Sequence, residues 1–381
     1  MRKRKILLFS HDPGGSNTII PLVKPLQKRG YDTLLYGKEI SIKKYTEFGL
    51  KGKNISRKIK KISVASLTKL LFTISPNFVI TGTSGEDMTE RYLWKAAEIT
   101  KIPSFAILDS WMNYGIRFSK YKVSQISKYN KYKTHTYLPN KICVMDKLAK
   151  QEAIKEGLNK DKILITGQPY FQLLLDKKHM VIKNSRLRRL LNISPSEKII
   201  IFISEPISQF YKPDKGLKPY WGYTEKTIFK SIYKTLGKIS LKRKLNITLL
   251  IKLHPRENLH NYDLLLNNLP SYQKLKVKIL PHNNISNWDL LLGANLIIGM
   301  SSMLLIEALL LGQPIVSVQI GLKKANPFVL AKKGIIGCIT DQKKLYSAIY
   351  NILANYQKPK YNVEIIKRPI EKVICEMEKI I

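Results

Sequence analysis

Acidic residues are scarce in this chain. Its 27 Asp and Glu stand against 66 Lys and Arg, which leaves a formal net charge of +39. Such an imbalance excludes an electrostatically indifferent surface; it attracts polyanions or an acidic membrane and says little about fold. Cysteine is rare too. Cys143, Cys338 and Cys375 lie far apart in sequence, which excludes a disulfide framework and a Cys-based zinc motif and points to a reducing, cytoplasmic setting. A long apolar run is missing at the N-terminus: basic residues 2–5 are followed by only four apolar positions before Ser10-His11-Asp12-Pro13, so no export signal is expected. The most apolar stretch, residues 295–320, contains Glu307, Gln313 and Pro314, and reads as buried core rather than a membrane span. There is no Asp-x-Asp motif to hold a metal, and no zinc-finger or RNP signature for nucleic acid.

What remains is an ordinary globular composition, 44% hydrophobic over 381 residues, enough for two domains. Lys and Arg are absent from residues 279–322, where the chain average would place about eight. Basic residues are excluded this thoroughly from parallel strands and helices buried on both faces. Strand and helix signals alternate. In the first half, strands are expected at 6–10, 31–36, 78–82, 104–109 and 141–145, with helices at 17–29 and 86–100. In the second, strands are expected at 198–204, 247–253, 276–280, 296–299 and 314–317, with helices at 224–241 and 302–311. This predicts two doubly wound α/β domains, residues 1–167 and 168–355, joined at the turn Gly167-Gln168-Pro169-Tyr170. Residues 356–381 are expected to form a C-terminal helix crossing back to the first domain.

Ligands of such sheets bind beyond the carboxyl ends of strands, so the loops there carry the candidates. In Ser10-His11-Asp12-Pro13-Gly14-Gly15, two glycines let backbone approach a ligand ahead of a helix N-terminus that favours an anion. In Leu253-His254-Pro255-Arg256, a ring N–H and a forked guanidinium suit a phosphate. Met300-Ser301-Ser302 offers two hydroxyls and unbonded backbone N–H groups at a helix start, and Glu307 inside that helix needs a polar partner such as a ribose diol or a basic side chain. Glu205, following the strand at 198–204, is a further nucleotide-contact candidate.

His-Pro, then Ser-Ser some fifty residues later, then Glu-Ala-Leu, Gly and Pro, form an ordered set. By it the C-terminal half resembles GT-B glycosyltransferases, and is most similar to bacterial sialyl-, polysialyl- and Kdo-transferases and to CDP-glycerol glycerophosphotransferases. The resemblance covers residues 140–320 and extends to the first 140 in architecture only. It implies two Rossmann-like domains facing across a cleft. It also implies that His254, Ser301 and Ser302 hold the phosphate of a nucleotide-activated donor, CMP- or UDP-linked, with Arg256 beside them and no metal or other cofactor.

For transfer with inversion a base must take the acceptor's proton. In Thr83-Ser84-Gly85-Glu86-Asp87, two carboxylates at an expected helix start make Asp87 the first choice, with Glu86, His11, Asp12 and Asp109 as rivals. The relatives place two acidic residues before a Gly, whereas here Gly85 comes first. Asp109, Trp111 and Arg117 are expected on the acceptor side, for a glycan or lipid-linked acceptor.

Two basic zones suit a peripheral site on the inner face of the cell membrane. Residues 51–61 carry six Lys and Arg with Ile55, Ile59 and Ile62 at helical spacing, which predicts a basic amphipathic surface helix. Residues 120–133 interleave five Lys with Tyr121, Tyr129 and Tyr132, a pattern that suits an acidic glycan, lipid or a single-stranded nucleic acid. A glycosyltransferase of surface polysaccharide assembly is therefore the leading expectation; a nucleotide-sugar 2-epimerase of the same fold and a basic nucleic-acid-binding protein are the alternatives.

Overall fold

The computed structural model describes residues 3–178, 186–211, 220–280, 285–354 and 365–381. Two compact units emerge. The first comprises the chain up to Leu173 together with the C-terminal helix; the second begins at Leu174.

The first unit is built on seven parallel strands: β1 Lys5–Ser10, β2 Asp32–Gly37, β3 Lys53–Asn54, β4 Phe78–Thr81, β5 Ser104–Ile107, β6 Lys141–Val144 and β7 Ile163–Ile165, in the order β3-β2-β1-β4-β5-β6-β7. The alternation of β1 divides the core. Ile6 and Leu8 pack beneath helix Pro13–Lys28 and the C-terminal helix Pro369–Glu378, while Leu7 and Phe9 pack beneath helices Val64–Ile74 and Thr89–Ile99. The second unit has six parallel strands: β8 Lys198–Ile203, β9 Ile247–Lys252, β10 Leu275–Leu280, β11 Leu296–Gly299, β12 Ile315–Val318 and β13 Cys338–Ile339, in the order β10-β9-β8-β11-β12-β13. The lysine-free stretch supplies β11 and β12, every residue of which is buried. In each sheet the strand order reverses beside the first strand, at β1/β4 and at β8/β11. Loops diverge there and leave room for a ligand.

Several expectations change. The first helix starts at Pro13, not at residue 17, because Pro is well suited to the opening helical position and Asp12 caps it in extended backbone. Residues 86–88 precede their helix, which begins at Thr89, since the Asp87 carboxylate accepts the Thr89 N–H. Residues 51–61 form no amphipathic helix. They hold the edge strand β3 and a single 3-10 turn, Ile55–Arg57, from which Ile55 is buried and Ile59 and Ile62 pack against the same core from irregular backbone. The two units divide at Leu173/Leu174, inside helix Pro169–Lys178, rather than at residue 167. Of the expected C-terminal helix, residues 356–364 lie outside the described set, and among the described residues 365–381 the helix spans Pro369–Glu378.

Candidate functional site

The first unit gathers titratable side chains at the carboxyl ends of β1, β2, β4 and β5. His11, directly after β1, places Nδ1 2.6 Å from Asp12 Oδ1 and Nε2 3.9 Å from Asp87 Oδ2. Lys38, after β2, reaches Asp87 Oδ2 at 2.5 Å. From the loop after β4, Ser84 donates to Asp12 Oδ2 at 2.8 Å and accepts the Asp87 N–H at 3.0 Å. Beneath them Glu90, 1% exposed, accepts the His11 N–H through Oε1, and its Oε2 has no partner among the described residues.

Burial would raise Asp87, but bonds from Lys38 and Thr89 and the charge of His11 hold it below its ordinary value. Asp12 is lowered in the same way, its burial overcome by His11, Ser84 and Arg117. Burial would lower His11, but the Asp12 hydrogen bond and the charges of Asp12 and Asp87 raise it. Glu90 goes the other way: burial, then the charges of Asp12 and Asp87, push it up to about 8. Two carboxylates of lowered pKa thus face a raised imidazole and the Lys38 side chain over a carboxyl group pushed up to about 8. Opposed shifts within one cluster supply an acid and a base side by side.

Asp109, after β5, bonds Arg117 at 2.6 Å, and Arg117 also donates to Thr83 O, Thr83 Oγ1 and Ser110 Oγ. Gly14 is the residue that lets Asp109 approach the first helix, since a β-carbon there would lie 1.9 Å from Asp109 Oδ2. Gly15 packs against the backbone of Gly82, where a β-carbon on Gly82 would fall 2.7 Å from Gly15 Cα. The glycine pair therefore seats the helix on β4 and admits a carboxylate. Glu86 is drawn away, accepting from the N–H and hydroxyl of Ser124. Trp111 stacks on Phe171 at 5.9 Å and donates to Asp146 at 2.8 Å, a packed indole rather than an offered surface.

The second unit brings the ends of β9, β8 and β11 together. His254 follows β9; its N–H donates to Glu257 at 2.8 Å, and its Nδ1 accepts the Arg256 N–H at 3.2 Å, so a neutral ring carries its proton on Nε2. Glu257 also accepts from Ser204 at the end of β8, at 2.6 Å. Burial raises Glu257, offset in part by the bonds from Ser204 and the His254 backbone. Arg256 is exposed, whereas Glu307 is buried on its helix at 6% exposure.

The Met300-Ser301-Ser302 turn departs from the expected empty anion cradle. Glu205 occupies it, taking the Ser301 N–H at 2.6 Å and the Ser301 hydroxyl at 2.9 Å. Burial raises Glu205, and the backbone groups of Ser301, Met300 and Ser302 with the Ser301 hydroxyl work against the rise. A unit anion 4 Å from that carboxylate would meet a repulsion of about 4 kcal/mol at an effective dielectric constant near 20. Ser302 caps its own helix through the Leu304 N–H.

Sequence reasoning missed Lys38, Glu90, Ser84 and Glu257. Lys38 directly follows β2, a carboxyl-end position of the kind inspected for the other loops. Glu257 sits three residues after His254, at the spacing of the turn its N–H closes on His254 O. Glu90 gave no signal, because its neighbours are assembled by the fold.

No protein-family model and no curated protein matches the chain. Solved structures do. UDP-GlcNAc 2-epimerase from Methanocaldococcus jannaschii aligns with 98% of this chain and 99% of its own at TM-score 0.68 and 16% identity. The Neisseria meningitidis enzyme, solved bound to UDP-GlcNAc, aligns with 98% and 100% at 0.68 and 15%. MurG of Acinetobacter baumannii aligns with 99% of each chain at 0.50 and 11%. The protein therefore has the GT-B fold, two parallel-sheet α/β domains, common to these epimerases and to MurG.

Proposed function

We propose that this chain is a nucleotide-sugar enzyme that isomerises its substrate, a nucleotide-sugar 2-epimerase, rather than the glycosyltransferase its His-Pro and Ser-Ser motifs suggest. The observation that carries this reading is the pairing of His11 with Asp87. Inversion at C2 of a nucleotide sugar takes a base to remove the C2 proton while the C–H electron pair forms a C1=C2 bond and the C1–O bond to the nucleotide breaks, and an acid to return a proton to the other face as the C1–O bond re-forms; transfer to an acceptor requires only a base. A raised imidazole and a lowered carboxylate in one cluster offer a proton donor and a proton acceptor for such a substrate. The similarity of the fold to several UDP-GlcNAc 2-epimerases supports the same choice. In this reading the second unit holds the nucleotide through His254 and Arg256, and UDP is the favoured carrier.

A transferase remains the second reading on one observation. The basic segment at residues 120–133 is bonded to the catalytic loop, through Val123 N–H to Gly85 O and Ser124 to Glu86, as an acceptor-binding segment would be. Its Tyr129 is buried and bonded to His135, which removes it from any base-stacking surface.

Incubation with UDP-GlcNAc in D2O separates the two. Epimerisation puts deuterium at C2, read by proton NMR, without any acceptor; a transferase releases UDP only when acceptor is added and leaves C2 protonated. Asp87→Asn is expected to slow the exchange by roughly 10²- to 10⁴-fold with the fold retained. Absence of C2 deuterium with UDP- and CMP-linked sugars would overturn the epimerase.

A further inference from the structure

Glu205 lies two residues past β8, at the strand-order reversal β8/β11, and its carboxylate lies on the donors that a ligand phosphate would need. The Ser301 N–H and hydroxyl both point to it, and the backbone of Met300 and Ser302 adds to the same cradle. A carboxylate gripped by donors on both oxygens is close in shape and charge to two oxygens of a phosphate. A second group marks this as a ligand position. Tyr223, 1% exposed, keeps a hydroxyl with no hydrogen-bond partner among the described residues, and it lies near enough to Glu205 to feel its charge. A buried phenol that has found no acceptor is a donor awaiting one.

We propose that Glu205 is a specificity-determining residue of the nucleotide end of the site: an internal anion that holds the Met300–Ser302 cradle and must be displaced by the incoming phosphate. The inference rests on the nucleotide-sugar reading for the identity of that phosphate, and on the geometry alone for the competition. When Glu205 swings out, the carboxylate recovers hydration, and the ligand inherits the Ser301 donors together with the Tyr223 hydroxyl. The exchange rejects weak anions, because only a ligand with further contacts, such as a nucleoside diphosphate, brings enough binding energy to complete it. Both states keep the cradle filled, so its backbone donors are never left dry and unbonded.

The test measures binding of UDP and of inorganic phosphate to the full chain by calorimetry and thermal shift, for wild type, Glu205→Gln and Glu205→Ala. Phosphate is expected to leave wild type unshifted and to stabilise both variants, and UDP is expected to bind the variants about tenfold tighter or more. Ser301→Ala in the Glu205→Ala background should abolish the gain. A structural role for Glu205 predicts the reverse, lower stability with weaker binding. Equal or weaker UDP binding by both variants, with no phosphate response, overturns the inference. Should phosphate bind the variants while neither wild type nor variants bind UDP, CDP or GDP, the competition stands and the nucleotide reading falls.

Discussion

Glu90 is the residue whose chemistry depends most on its surroundings. Its carboxyl is sealed beneath His11 with one oxygen unpartnered among the described residues, and burial beside Asp12 and Asp87 keeps its proton on up to about pH 8. In the unfolded chain that proton leaves near pH 4.5. Between these values the folded state binds more protons than the unfolded one, so stability falls as pH rises, by up to about 1.4 kcal/mol per pH unit. His11, also raised, adds to the loss above its unfolded pKa. Asp12 and Asp87 are lowered, and their contribution disappears only as pH falls below the ordinary carboxylate range. Urea melts at pH 5 and pH 8 should show wild type losing markedly more stability than Glu90→Gln over that interval. Equal losses would mean that Glu90 is ionised in the folded protein. Nothing in the sequence distinguishes Glu90 from any acidic residue in a first helical turn, where the dipole alone would favour it. By contrast, His11, Asp87 and His254 could be picked out because strand ends are legible and chemistry collects there.

At the scale of elements, the contact between helix Pro13–Lys28 and the ends of β4 and β5 decides how the acidic groups are aimed. Its two glycines meet different neighbours, and so should fail differently. Gly82→Ala drives a methyl into the Gly15 backbone, which cannot turn aside, and is expected to destabilise the unit by about 1–3 kcal/mol in chemical denaturation. Gly14→Ala meets only the Asp109 carboxylate, which can rotate off Arg117. It should cost turnover with little change in melting temperature; the opposite pattern in the pair would show that the helix is seated by other contacts. Central strands are legible because parallel strands covered on both faces carry near-continuous apolar runs, as at residues 199–203 and 249–251 within Lys198–Ile203 and Ile247–Lys252. The stretch at 51–61 misled because three isoleucines at helical spacing reach the same core from a loop, and periodicity does not record backbone conformation. The Met300–Ser302 turn was found, but not its occupant, since Glu205 and Ser301 meet only when β8 and β11 pair.

At the scale of the molecule, the first unit is made of two separated pieces of chain. Ile370, Val373, Ile374 and Met377 of the C-terminal helix enter the core formed by Ile6, Leu8, Ile19 and Leu26. Burying such side chains is worth about 1.5–3 kcal/mol each. The ion pairs of Arg29 with Glu371 and Glu378 on its rim are partly exposed and add little. Deleting residues 365–381 should therefore lower the melting temperature of the first unit while the second keeps its own transition, and a synthetic peptide of that sequence should restore it in trans. A single unchanged transition would show the helix to be dispensable.

During translation, this arrangement means that the main part of the first unit emerges with an uncovered apolar strip, which stays bare until the entire second unit has been synthesised. The nascent protein accordingly depends on whatever shields that strip in the interval.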